Sequence, residues 1–374
     1  MQPLWESARS RWPSDDHGIA TLPAVRIAFV HGSNDLYGAS RVLLTDVEIL
    51  LGEGLGVSVV LPSDGPLSHS LRELGADVSV EQMHILRAIS SPGRIRVPAR
   101  LPRGAREADV VVAWTLASAA YLGTARSRGK DVVCSVHEIL PGRSGAALAW
   151  LTCRVSRRLM VNSRATGSWV ERCGSPRDAP VFAYPVAPAY APLPREHGDG
   201  ELCFLLAGRV NGHKGHLEAV RAMEIARCRG LVHARLILLG GVFPGQERHL
   251  NELLAAIVEK PWVEYRGEVP DLGDHLAEAD IMLVPATRAE SFGVVALEAW
   301  AAGRRVVASD EGGLAEAARL VDGVLVRPRD VNDLAMTIVR VAGSRSLLEP
   351  PDRDAAASRV CTRAARRAAW LQLL

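Results

Sequence analysis

Two glutamates eight positions apart, Glu290 and Glu298, sit in the stretch AESFGVVALEAWAAGRRVVASDEGGLAE that spans 289–316. An ionised carboxylate only accepts hydrogen bonds and takes them well from paired hydroxyls, as a sugar ring or a ribose presents them. Between the two lies Ser291-Phe292-Gly293, a glycine-containing loop that feeds an apolar helix expected over 294–302, with Gly303 as its stop. The backbone N–H groups of Phe292, Gly293 and Val294 then stand where a helix start leaves donors open, and the helix dipole favours an anion in front of them. Glu290 falls at the loop mouth and Glu298 a little over a turn into the helix. That spacing suits a phosphate held between two sets of sugar hydroxyls.

The elements that must position these residues follow from the apolar pattern. After the helix come a buried-type strand at 305–308 and a second glycine loop, Glu311-Gly312-Gly313, which together make one turn of a doubly wound α/β sheet. Upstream, a strand at 202–207 ends in Gly208-Arg209, and Lys214-Gly215 opens a helix over 216–228. Further strands are expected at 236–239, 263–266, 281–284 and 323–327, with helices at 247–259, 271–278 and 331–342. The first half reads the same way: strands at 25–30, 56–61, 76–80, 107–113, 131–136, 158–161 and 181–184, with helices from about residue 39 and over 66–74. Two loops there sit at carboxyl ends of strands, the ligand side of such sheets. One carries Gly38 and Ala39, the other His137. Glu107-Ala108-Asp109 and Glu278-Ala279-Asp280 each precede a buried strand, a short repeat that suggests two similar halves.

The pattern E-x-F-G-x-x-x-x-E, followed by A-x-G and V-V-A-S-x-x-G-G-x-x-E, resembles the donor-site signature of retaining glycosyltransferases of family four, group 1. Gly208-Arg209 and Lys214-Gly215 match that family's G-R-x-x-x-x-K-G pattern. The resemblance is strong over 202–333 and weak before 185. It implies a GT-B fold: α/β, with two Rossmann-like doubly wound domains facing a central cleft. It also implies transfer of a sugar from a nucleotide-diphosphate sugar with retention of configuration, by the front-face route commonly proposed for the family. Arg209 and Lys214 would then grip the diphosphate, Glu298 the ribose, and Glu290 and His137 the sugar. Ser291, Phe292, Gly293, Val294 and Gly208 would complete the donor loop. Two cations beside a helix start can offset both phosphate charges, so no metal and no cofactor is expected. At Gly38-Ala39 the family's usual glycine pair and acidic residue are missing. That loop either brings backbone to a phosphate or acceptor, or is a turn that needs glycine for steric reasons.

Composition bounds the rest. The 374 residues suggest two domains or three, and 48% hydrophobic content supplies their cores. Aromatics at 5% and a net charge of +2 argue against a nucleic-acid binder. Six scattered cysteines without a C-x-x-C pair fit reduced thiols in a cytosolic protein. Acidic residues at the N-terminus speak against a signal peptide, and the uncharged run 110–125 is too short and broken to span a bilayer. Domain limits are expected as a disordered leader at 1–24, an acceptor-side domain at 25–185, a proline- and glycine-rich linker at 186–200 and a donor domain at 201–350. Residues 351–374 would form a terminal helix, starting near 355, that packs back toward the first domain.

Residues 87–106 hold six arginines and no acid, broken by prolines and glycines. They form either a solvated surface or a contact with an anionic lipid surface or phosphorylated acceptor, which would make the protein cytoplasmic with a peripheral hold on the membrane. The acceptor is expected to be a sugar, glycolipid or small molecule and not a nucleic acid, as in polysaccharide, cell-envelope or natural-product glycosylation. Two other functions fit the same fold: a nucleotide-sugar epimerase, and a non-catalytic nucleotide-sugar-binding partner of another transferase.

Overall fold

The computed structural model describes residues 25–83, 98–174, 176–188, 202–242 and 245–374. The expected leader, most of the expected linker and the arginine-rich stretch up to residue 97 lie outside them. The chain divides into two compact units. Unit 1 runs to Val186 and regains the chain at Cys361–Leu374; unit 2 is Ala187–Val360.

In unit 1 the strands are β1 (Arg26–Val30), β2 (Gly56–Leu61), β3 (Asp77–Val80), β4 (Val110–Ala113), β5 (Asp131–Val136), β6 (Arg158–Val161) and β7 (Val181–Phe182). They form one sheet in the order β3-β2-β1-β4-β5-β6-β7, parallel throughout. The intervening helices are α1 (Gly38–Gly52), α2 (Pro66–Glu73), α3 (Ala120–Ser127), α4 (Gly142–Val155) and α5 (Arg164–Cys173). Unit 2 repeats the plan. Strands β8 (Leu202–Ala207), β9 (Ala234–Leu239), β10 (Val263–Gly267), β11 (Ile281–Val284), β12 (Arg305–Ser309) and β13 (Val324–Val326) lie in the order β10-β9-β8-β11-β12-β13. Its helices are α6 (His216–Cys228), α7 (Glu247–Ile257), α8 (Gly273–Glu278), α9 (Val294–Ala301), α10 (Gly312–Leu320), α11 (Val331–Ala342), α12 (Arg345–Leu348) and α13 (Ala356–Val360). Both orders are the Rossmann order, with chain reversal beside β1 and beside β8. Central strands such as β4 and β11 are buried along their whole length, as parallel strands covered on both faces must be.

The Glu-Ala-Asp repeat marks equivalent positions. Asp109 Oδ2 accepts from the backbone N–H of Arg26 at 2.9 Å, and Asp280 Oδ2 accepts from that of Cys203 at 2.8 Å. Each aspartate precedes the fourth strand of its sheet and ties it to the first.

The uncharged run 110–125 is broken as expected, into β4, a short 3₁₀ turn and most of α3; among the described residues no helix is long and apolar enough to cross a membrane. Two expectations need correction. Gly312 and Gly313 are not a loop: they open helix α10, with Glu311 at its N-cap. The terminal segment is not one helix. It breaks at Cys361, and α14 (Arg363–Leu373) starts afresh, with Thr362 Oγ1 accepting from Ala365 N at 3.1 Å. Helix α14 packs within unit 1. Arg366 is 1% exposed and meets the fully buried carboxylate of Asp46 through two bonds of 2.7 Å. Arg363 pairs with Glu48 at 2.9 Å, and Arg367 with Glu53 at 2.6 Å.

Candidate functional site

In unit 2 the residues named from the sequence gather at the carboxyl ends of the strands. Gly208 and Arg209 leave β8, and Lys214 lies six residues beyond Gly208, ahead of α6. A Cβ on Gly208 would stand 3.2 Å from Lys214 Cγ, so the missing side chain is what lets the lysine stem lie across the backbone there. Its ammonium reaches Glu290 Oε1 at 2.7 Å. The two side chains are 32% and 15% exposed, so the pair is open to a ligand on one side and screened on the other. Gly215, the N-cap of α6, has φ +80 and its Cβ position lies 2.1 Å from Pro285 O; no other residue fits this crossing of two loops.

Hydrogen bonds stitch these loops together. Thr287 N donates to His213 O at 2.8 Å, and Thr287 Oγ1 donates to Gly212 O at 3.2 Å. Glu290 forms a lone parallel bridge with Gly312, and its carbonyl accepts from Gly313 N at 2.7 Å. The starts of α6, α9 and α10 are thereby fastened to the segment that carries Glu290. Gly293 caps α9 with φ +93, a left-handed turn that an L side chain would strain. Ala296 N donates back to Gly293 O at 3.0 Å, and ahead of it the N–H groups of Val294 and Val295 have no carbonyl within the helix to take them.

Phe292 is 1% exposed, so its ring packs into the core. Ser291 and Val294 are half-buried beside it. Glu298 is 7% exposed on a helix whose neighbours Ala296, Leu297, Ala299, Trp300 and Ala301 are buried and apolar. A carboxylate in such surroundings is costly to bury and is kept where it serves a specific bond. His216, in the first turn of α6, is neutral: burial pushes its imidazole down to about 4, against a weak bond to Leu239 O at 3.5 Å.

One side chain of this region had no signal in the sequence. Arg329, held at φ +60, donates from Nη1 to Thr287 O at 3.0 Å and to Glu311 Oε2 at 2.9 Å, bracing the loops behind Glu290. Among the described residues, no group of three or more His, Cys, Asp or Glu side chains is placed to hold a metal ion.

The remaining sequence candidates belong to unit 1. His137 follows β5 and is 9% exposed. Its Nε2 lies 2.8 Å from Ser135 Oγ, and its ring packs on Trp114 at 4.5 Å between centroids. Burial, helped by the positive field of Arg366 and by His31, holds its imidazole well below the usual range, so it is neutral at pH 7. The neighbouring Glu138 has its carboxyl raised to about 7 by burial. Backbone donors at Leu116 and His137, each 3.3 Å away, oppose that rise. Gly38 starts α1 without a positive φ, so the backbone angle alone does not demand glycine there. The carbonyl of Ala39 is taken by Trp114 Nε1 at 2.8 Å. Asp35 orders the turn, accepting from Tyr37 N at 3.1 Å and from Ser40 Oγ at 3.2 Å.

The family model described as glycosyl transferases group 1 matches residues 201–344, the part of the chain that carries the unit 2 candidates. A D-inositol 3-phosphate glycosyltransferase 1 of Catenulispora acidiphila is 30% identical over 270 residues, 61% of this chain and 61% of that protein. A D-inositol 3-phosphate glycosyltransferase of Pseudarthrobacter chlorophenolicus is 36% identical over 132 residues, 33% of this chain. The chain thus spans 30% of the Pseudarthrobacter relative's length. Among solved structures, Anabaena HepE in complex with UDP and glucose superposes with a TM-score of 0.73 at 21% identity, covering 93% of this chain and 94% of that one. The sucrose-phosphate synthase of Thermosynechococcus elongatus does so with 0.70 at 18% identity, covering 93% and 98%. Over residues 201–344 the chain is similar to the glycosyl transferases group 1 family, and across both units it shares its fold with these solved structures.

Proposed function

We propose that the protein transfers a sugar from a nucleotide-diphosphate sugar to an acceptor hydroxyl, with retention of the anomeric configuration and without a divalent metal. The observation that carries this reading is the Lys214–Glu290 pair, held at 2.7 Å beside Gly208-Arg209 and the start of α9. It puts a cation, a carboxylate and open backbone donors in one place. As the glycosidic bond opens, negative charge grows on the leaving diphosphate, and stabilising that charge is the main electrostatic task. An ammonium has three N–H donors, so Lys214 can keep its bond to Glu290 and still turn two donors toward phosphate. Arg209 and the first-turn N–H groups of α9 add to it. Glu290, tied to that lysine, is then set beside the sugar and orients its hydroxyls, while the buried Glu298 takes the hydroxyls of the ribose.

HepE was solved with UDP and glucose, which makes UDP-glucose the first donor to try. The relatives named for D-inositol 3-phosphate make a phosphorylated polyol the first acceptor, ahead of glycolipids and polysaccharides. A cytoplasmic enzyme with a peripheral hold on an anionic membrane accords with the arginines of 87–106. The experiment is a donor and acceptor screen that follows nucleotide release and the mass and anomeric configuration of the product. An acceptor-dependent product with retained configuration is expected. Donor turnover to an isomer in the absence of any acceptor, or inversion in the product, overturns the reading.

A further inference from the structure

At the edge of the unit 1 sheet where its strands begin, Arg126, Arg128, Lys130, Arg157 and Arg177 surround a hollow of about 620 Å³. This is the opposite edge from Gly38 and His137. Two carboxylates, Asp109 and Asp131, share the lining, which leaves a surplus of three positive charges. Part of this charge has an evident structural use. Helices α3 and α4 end here, and the C-terminus of a helix attracts cations. Arg126 Nη1 donates to the last carbonyls of α4, Arg154 O at 3.1 Å and Val155 O at 3.4 Å. Arg157 Nη1 meets Asp131 Oδ1 at 3.0 Å, Asp109 is engaged by the N–H of Arg26, and Arg128 Nη2 touches Ala99 O at 3.4 Å.

Those bonds account for both acids and leave cations over. Among the described residues, neither Lys130 nor Arg177 has an ion-pair partner, although both line the hollow. They come from separate loops, one before β5 and one before β7, so no single helix end explains them. A planar guanidinium fork and an ammonium placed around one cavity match a phosphate group better than a carboxylate network or a lone ion, and the volume suits a small ligand. We infer that this hollow binds the phosphate or diphosphate group of a molecule other than the sugar donor. Two sources share that chemistry: a soluble phosphorylated compound, and the headgroup of an anionic lipid. The inference does not rest on sugar transfer, since none of its residues belongs to unit 2.

The test uses the full chain carrying Lys214→Ala, so that the expected donor site contributes little to anion binding. Inorganic pyrophosphate is titrated by calorimetry into this protein and into the same protein with Lys130→Glu and Arg177→Glu added. Co-sedimentation with phosphatidylglycerol and with phosphatidylcholine vesicles is run on both. Affinity for pyrophosphate should fall on the order of tenfold for each cation removed. If only pyrophosphate binding falls, the ligand is soluble. If selective binding to phosphatidylglycerol falls as well, the ligand is a lipid headgroup. Pyrophosphate and vesicle binding that are both absent, or both indifferent to the two reversals, overturn the inference. The neutral pair Lys130→Gln and Arg177→Gln, checked by circular dichroism, gives the same decision where the reversed pair does not fold.

Discussion

Lys214 and Glu290 are 76 positions apart in sequence and 2.7 Å apart in space. The contact joins the loop after β8 to the loop after β11, and each side chain is a sequence candidate for the donor site. Neither is deeply buried, so in water the pair adds little to stability. Its value is in holding the ammonium and the carboxylate in register before a ligand arrives.

Lys214→Ala should therefore cost activity and spare the fold. Removing a phosphate interaction of about 1.5–3 kcal/mol corresponds to roughly a ten- to hundredfold fall in turnover. The melting temperature should shift by no more than a few degrees. Steady-state kinetics and thermal unfolding of the same preparation check both halves. Wild-type turnover in the variant would falsify the role given to Lys214.

Glu290 and Glu298 should separate. Glu298→Ala removes the buried carboxylate and should weaken a bare nucleotide diphosphate as much as the full donor. Glu290→Ala should leave bare-nucleotide affinity nearly intact and lower the single-turnover rate of transfer, as expected of a contact that matters in the transition state. Calorimetry with both ligands and rapid-quench kinetics on both variants decide it. Equal weakening of the bare nucleotide by the two changes would end the division of labour.

Donor affinity should be the same with and without a chelator, because Arg209 and Lys214 provide the counter-charge to the diphosphate. A calorimetric titration of the nucleotide diphosphate, repeated after treatment with EDTA, checks this. A drop in affinity on chelation counts against it.

Acid should weaken unit 2 through His216. The unfolded imidazole takes a proton near its ordinary 6.5, while the buried one resists until about 4. Over that window the unfolded state binds more protons, so stability falls as pH drops from 6.5 toward 4 and is flat with respect to this group below it. The full effect is on the order of 3 kcal/mol. Glu138 works in the opposite sense, since its raised carboxyl costs stability as pH rises from 4.5 to about 7. The measurement is thus a difference: denaturant midpoints of wild type and His216→Gln across pH 4–7, with a shallower acid slope in the variant. Parallel slopes would remove His216 from the account.

Arg366→Met should destabilise unit 1 by roughly 3–5 kcal/mol, because it leaves Asp46 buried and unpaired. Arg366→Met with Asp46→Leu should recover much of that stability. Chemical unfolding of the two single variants and the double variant completes the cycle; additive effects would mean that the two side chains do not act as a pair.

Much of the scaffold was legible because parallel strands announce themselves. Gly56–Leu61, Asp131–Val136, Leu202–Ala207 and Ile281–Val284 agree with the sequence reading to the residue, since a short apolar run bounded by turn residues has few other uses. Helices opened by glycine were harder. Gly312-Gly313 has poor helix propensity, and the distant carbonyl of Glu290, which accepts from Gly313 N, helps to fix that helix start. Helix α4 begins Gly-Arg-Ser-Gly and is hidden for the same reason, although Gly145 is required where the chain crosses Leu140, whose carbonyl oxygen would lie 2.4 Å from an added Cβ. In the candidate site, the glutamates and cations stood out by type and spacing. Arg329 did not: its contribution depends on a left-handed backbone and on partners 42 and 18 positions away.

The split composition of unit 1 has a consequence for biosynthesis. Residues Cys361–Leu374 belong to it, yet they are translated after the whole of unit 2. Asp46 is made early, and its partner Arg366 arrives only once unit 2 has been synthesised. The order of maturation is therefore inverted: the half encoded second can complete its contacts before the half encoded first. A nonsense codon just ahead of residue 361 would register as a defect in the half of the protein encoded first.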